Sequence, residues 1–172
     1  KITDEELLKK IALSDEYSGV RKIAVERIRD SATLIQVALE DDFVEIRKMA
    51  IAKIDDQEIL VSIATNDKHS SIRESAVMRI TDEAILKEIL KKDRYSGVRK
   101  IIVSKLNDEG FLCDVAKSDK YYLIRKCATE RISDKTVLEY IKKYDGHVDV
   151  RNAAKFRLEE MENNIKKMVG NN

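Results

Sequence analysis

Apolar residues recur along this chain in short runs spaced like one face of a helix. Leu8, Ile11 and Ala12 make one stripe, and Val20, Ala24 and Ile28, at i, i+4 and i+8, make another. Two short helices are therefore predicted. The first covers about residues 5–13 and opens at Thr3 or Asp4, where a side-chain oxygen accepts from free amides while Glu5 and Glu6 sit at the positive end of the dipole. The second covers about residues 19–28, opens at Ser18 and closes on Arg27.

The pattern returns every 26 residues without insertion or deletion. Arginine recurs at Arg21, Arg47, Arg73, Arg99, Arg125 and Arg151, each preceded by Val or Ile. Six residues before each lies an aspartate: Asp15, Asp41, Asp67, Asp93, Asp119 and Asp145. Two residues after each aspartate comes a ring: Tyr17, Phe43, His69, Tyr95, Tyr121 and His147. A second acidic row, Asp30, Asp56, Asp82, Asp108, Asp134 and Glu160, closes each unit three residues after a basic one, Arg27, Lys53, Arg79, Lys105, Arg131 or Arg157. A fixed period of this length marks a repeat architecture. Six helix-turn-helix repeats are expected at about 4–29, 30–55, 56–81, 82–107, 108–133 and 134–159, with 160–172 as a helical extension or cap, all in one α-solenoid domain over residues 1–172.

Helices this short are marginal alone, so stability has to come from stacking neighbouring repeats. A terminal repeat should then turn polar on its outer face. The slot of Ala12, Ala38, Ala64, Leu90 and Ala116 becomes Lys142, and that of Val25, Ile51, Val77, Val103 and Thr129 becomes Lys155, so repeat six reads as a C-terminal cap. Met161, Ile165 and Met168 keep a helical spacing that would extend the last helix over its neighbours, with fraying from Gly170. At the other end Lys1-Ile2-Thr3-Asp4 matches Arg79-Ile80-Thr81-Asp82, which leads us to expect further repeats upstream.

Composition agrees with an all-α chain: no proline, five glycines, 43% hydrophobic and 38% charged residues. The net charge of +1 is too weak a field to draw in nucleic acid or an anionic membrane. The charge is polarised, however, with 13 Lys and Arg against 18 Asp and Glu in residues 1–86, and 20 against 14 in residues 87–172. That bipolarity admits salt-sensitive head-to-tail self-association. Cys113 and Cys127 are too few for a disulfide framework and are not at zinc spacing, so a cytoplasmic location and buried structural thiols are expected. No apolar run reaches membrane-helix length.

The unit from Asp15 to Val20-Arg21-Lys22-Ile23-Ala24 resembles the short HEAT-like repeats, including those of the phycobilisome-lyase type, and is similar in pattern to leucine-rich variant repeats. The resemblance covers about residues 4–160 and implies a right-handed α-α superhelix that binds partners on the concave face lined by its second helices. Two departures narrow it. The chain has neither the proline nor the cysteine cluster of one leucine-rich variant arrangement, and it lacks the His-Glu dipeptides of di-iron HEAT-like enzymes.

No glycine-rich phosphate loop, H-E-x-x-H or G-x-S-x-G occurs, so no enzyme activity, catalytic residue, cofactor or metal is expected. The arginine and aspartate rows read as a structural ladder in which each aspartate caps a second helix and pairs with a repeat arginine, and the rings read as covers for the core edge. Specificity is expected where the copies differ, on the solvent face of the second helices. One row there reads Lys22, Lys48, Glu74, Lys100, Lys126 and Asn152, and the next reads Glu26, Ala52, Met78, Ser104, Glu130 and Phe156. An acidic protein or peptide would meet Lys22, Lys48, Lys100 and Lys126 over a floor of Ala52, Met78 and Ser104. Two alternatives are nucleic-acid binding and a lyase-type accessory role. The first would use Lys91, Lys92, Arg94, Lys117, Lys120, Lys142 and Lys143 beside Tyr95, Tyr121 and Tyr122.

Overall fold

The structure is a computed structural model describing residues 4–169, with side chains to residue 167. The expectations for Lys1, Ile2 and Thr3, for Gly170 onward and for the side chain of Met168 lie outside the described residues. Within them are twelve helices and no strand: α1 (Glu5–Ser14), α2 (Ser18–Arg27), α3 (Ser31–Glu40), α4 (Val44–Ile51), α5 (Gln57–Asn66), α6 (Ser70–Arg79), α7 (Glu83–Lys92), α8 (Ser96–Lys105), α9 (Glu109–Ser118), α10 (Tyr122–Thr129), α11 (Lys135–Tyr144) and α12 (Val148–Val169). Two helices fall in each 26-residue repeat, and the chain is an all-α helical-repeat solenoid.

It divides into two compact units, Lys1–Asp93 and Arg94–Asn172. In the first, α1, α3 and α5 pack on α2, α4 and α6, α1 stacks on α3 and α5 on α7, and α4 stacks on both α2 and α6. In the second, α9 packs on α10 and α11 on α12, while α8, α10 and α12 form one layer and α9 and α11 the other.

Aspartate opens every first helix. Asp4, Asp30, Asp56, Asp82, Asp108 and Asp134 hold extended backbone as N-caps, and each carboxylate accepts from first-turn amides, Asp4 from Glu6 at 3.0 Å and Asp134 from Val137 at 3.0 Å. Each such cap stabilises by about 1 kcal/mol. The row thus starts the next repeat as well as ending the last, because only Ile28, Arg29 and Asp30 separate α2 from α3.

The second helix begins one residue earlier than predicted. Ser18 is its first residue and Tyr17 its N-cap, without a side-chain cap bond. The Asp15 carboxylate instead takes the Tyr17 amide at 2.9 Å, and its equivalents take Phe43, His69, Tyr121 and His147. These aspartates end the first helices and shape the turn without reaching second-helix amides. This corrects their expected capping role.

One leucine per repeat, Leu8, Leu34, Leu60, Leu86, Leu112 and Leu138, is at most 4% exposed, and each contributes about 1.5–3 kcal/mol. Alanine fills the inner slots at Ala12, Ala24, Ala38, Ala50, Ala64, Ala76, Ala116, Ala128 and Ala154, where the helices of a hairpin approach closely. Repeat four puts Leu90 and Ile102 in the two corresponding slots, and the division between the compact units falls in the turn of that repeat.

In repeat six Lys142 and Lys155, in the slots that are apolar elsewhere, are exposed. The last helix does extend, running 22 residues from Val148 to Val169. Met161 is half-buried, but Ile165 is 48% exposed and does not pack over the neighbouring helices as expected. Glu160 stands where the other repeats have a capping aspartate, and it stays helical, paired with Arg157 at 2.5 Å.

Candidate binding surfaces

The arginine row forms a ladder that joins each repeat to the next. Arg21 donates through Nε and Nη2 to Asp41 at 2.8 and 3.1 Å, and through Nη1 to the Asp15 carbonyl at 2.9 Å. Arg73 and Arg125 repeat this fork on Asp93 and Asp145, each with a bond to its own turn at Asp67 or Asp119. Arg47 reaches Asp67 through Nη2 and the Ala38 carbonyl through Nε at 2.7 Å, and Arg99 reaches Asp119. All five carboxylates are between 2% and 8% exposed.

Burial is the largest single influence on Asp41 and pushes its pKa up, but the Arg21 guanidinium and the Phe43 amide prevail and hold it below the usual aspartate value. Asp145 behaves alike beside Arg125 and the His147 amide. The Asp hydrogen bonds raise Arg21, Arg73 and Arg125. Rings lie against the same groups: Arg21 is 5.4 Å from the Phe43 centroid and Arg99 5.7 Å from Tyr121. Phe43 and Tyr121 thus lie against ladder arginines, while Tyr17 is 73% exposed.

A second set of ties was not read from the sequence. Lys53 donates to the carbonyls of Val25, Glu26 and Ile28 at 2.8, 3.1 and 2.5 Å, closing the end of α2; burial lowers its pKa. Arg79 does the same at Ile54, Arg131 at Val103 and Arg157 at Ile132. Glu5, Gln57 and Glu109 accept from the backbone of the following interrepeat turn, at Arg29, Thr81 and Ser133. The signal for the basic row was its fixed place three residues before each capping aspartate.

The framework therefore consumes the repeated polar residues internally. The row that differs between copies lies outside it. In the first unit Lys22, Ala52 and Met78 are exposed, Met78 by 65%, while Lys48 is half-buried and 3.2 Å from Glu45. In the second unit Lys100, Ser104 and Phe156 are exposed, and Lys126 is half-buried, 3.7 Å from Glu130. Ile23 is 49% exposed and Met49, Ile101 and Cys127 half-buried, so this slot adds an apolar stripe to the same face. The reading of Cys127 as fully buried is thereby corrected; Cys113 is buried. Desolvation raises both thiols.

Three residues of the alternative basic surface pair along their own helices. Lys91, Lys117 and Lys142 pair with Glu88, Asp114 and Glu139 three residues earlier, and Lys120 lies 4.9 Å from the Tyr121 ring. His147 stacks on Tyr122 with centroids 3.6 Å apart. Among the described residues no group of three or more His, Cys, Asp or Glu is arranged to hold a metal ion, and no helix is long and apolar enough to cross a membrane. No protein-family model, curated protein or solved structure matches this sequence.

Proposed function

We propose that this chain is a non-catalytic scaffold of the HEAT-like kind, binding an acidic protein or peptide on the exposed face of its second helices. One observation carries the reading: most residues that repeat are committed to ladders between repeats, while within each unit those that vary lie on the exposed side of the second helices. Lys22 with Ala52 and Met78 in the first unit, and Lys100 with Ser104 in the second, offer charge at the rim of an apolar strip. Methionine is enriched in protein interfaces, and rim charges of one sign steer a partner of the opposite sign.

The test is capture of a partner from a lysate of the source organism, followed by titration of the purified pair. A Lys22→Glu, Lys100→Glu variant should keep its fold and weaken binding about tenfold or more. Unchanged affinity for the purified partner would remove the surface from the reading, and capture lost on nuclease treatment would favour nucleic acid instead.

A further inference from the structure

Three positions of every repeat face outward where its two helices meet: the last two residues of the first helix and the residue after the turn aspartate. They are exposed in all six repeats, interior ones included, so their exposure does not depend on which repeat stands at an end. Their chemistry changes along the chain. Repeats one and two, in the first compact unit, hold Leu13, Ser14, Glu16, Leu39, Glu40 and Asp42, three carboxylates and no cation. Repeats five and six, in the second unit, hold Lys117, Ser118, Lys120, Lys143, Tyr144 and Gly146, three cations and no carboxylate. Repeats three and four pass from one character to the other, from Thr65, Asn66 and Lys68 to Lys91, Lys92 and Arg94.

The two edges also differ in shape. Leu13, Gln36, Glu40 and Asp42 line a depression of about 270 Å3 that reaches the Arg21–Asp41 pair. Leu13 and Leu39 are 42% and 48% exposed beside it. On the basic edge Lys120 and Lys143 each lie 4.9 Å from a tyrosine ring, Tyr121 and Tyr144, and Tyr144 is 60% exposed. Existing ties at these positions are pairs within one helix: Gln36 donates to Glu40 at 2.9 Å and Lys117 sits 3.3 Å from Asp114. Exposed pairs of that kind are worth little and exchange readily.

We propose that the acidic turn edge of repeats one and two docks on the basic turn edge of repeats five and six of a second copy of this chain. Glu16, Glu40 and Asp42 face Lys117, Lys120 and Lys143, and Leu13 and Leu39 lie against Tyr144. Two features single out a second copy as the occupant. Both charge sets use the same three positions of one 26-residue unit, so on each edge they recur at the pitch of stacked helices, about 8–10 Å. They are also equal in number and opposite in sign, so each edge attracts the other and repels its own kind. The contact joins unlike patches and is therefore heterologous. Its residues are not those of the second-helix face, and it does not depend on what that face binds.

Sedimentation equilibrium of the full chain tests this. At low ionic strength the weight-average mass should rise with protein concentration above that of one chain. It should return to a single chain at about 1 M salt, where the Debye length is about 3 Å. Two variants locate the contact: Glu16→Lys with Glu40→Lys, and separately Lys120→Glu with Lys143→Glu. Each should weaken self-association about tenfold or more. All four residues are exposed, and Asp42 is left in place because its charge acts on Arg21 of the ladder, so both variants should keep the parent's circular dichroism and unfolding midpoint. Mixed in equal amounts, the two variants should associate with each other, because the untouched basic edge of the first still meets the untouched acidic edge of the second. A single-chain mass at every concentration in low salt overturns the proposal, as does self-association indifferent to either reversal. A parent that associates while the mixed variants do not also overturns it, since the two edges would then not be partners of one another.

Discussion

The first and last repeats share one framework and end it differently. Repeat one leaves Val20 39% exposed and the Asp15 carboxylate without an arginine, as an interior repeat would if its neighbour were withdrawn. Repeat six has a terminal arginine too, Arg151, whose described bond is to the Asp145 carbonyl at 2.7 Å, but its small apolar slots are lysines. A charged residue in a stacking slot would have to lose its hydration for a further repeat to pack there. The two outer faces thus differ by a few side chains laid on an unchanged backbone plan: Val20 and Asp15 stand unmatched at repeat one, and lysines occupy the stacking slots at repeat six.

The largest test of that comparison sets an interior rung against the terminal one. Arg47 and Asp67 are both under 9% exposed, so Arg47→Ala leaves a buried carboxylate without its cation and should cost about 3–5 kcal/mol. Arg151→Ala removes a bond to a carbonyl and should cost about 1 kcal/mol or less. Urea unfolding of the two variants measures both. Equal losses would mean that the ladder is not what holds neighbouring repeats together.

Acid provides the next, smaller effect. Asp41 and Asp145 have folded-state pKa values below the ordinary 3.8, so the folded chain resists their protonation. A depressed folded value contributes stability that is fully present above the unfolded pKa and lost as pH falls through the folded one. Unfolding midpoints should therefore be flat down to about the ordinary carboxylate range and fall below it. Arg125→Met should be less stable at neutral pH and lose less on acidification. A variant that keeps the full acid dependence would remove the Asp145 pair as a source of it.

How much of this was readable beforehand follows from what a period encodes. The rows at Arg21, Asp15 and Asp30 fix the repeat, the helix pair and the all-α class, because each marks one place in every copy. They do not fix direction. Arg21 stands six residues after Asp15 and twenty before Asp41, and only packing decides that it forks onto Asp41 while touching the Asp15 carbonyl. Likewise Asp30 looks like the end of one unit until the three-residue connection makes it the cap of the next. Cys127 was read as a buried thiol, but it is half-buried, and Ile23 in the same slot of repeat one is 49% exposed. Of the proposed binding residues, Lys48 and Lys126 share their charge with neighbours, which depends on rotamers rather than on composition.

The smallest effect concerns Glu160, the residue that replaces a capping aspartate. In interior repeats the chain leaves the second helix at residues such as Ile28, whose backbone is extended, and the next aspartate caps a new helix. Glutamate caps poorly, and at this place its carboxylate is 2.5 Å from Arg157, one turn back along the same helix, so nothing diverts the chain and α12 continues to Val169. Residues 162–167 are all exposed, which means the extension adds helix without adding core. Glu160→Pro should therefore remove circular dichroism at 222 nm, because the ring clashes with the preceding turn and ends the helix near residue 159. It should move the unfolding free energy by only about 0.5–1 kcal/mol, since the segment released buries little. A loss of several kcal/mol would instead make the extension part of what holds repeat six together, and the exposure of residues 162–167 would understate its contribution.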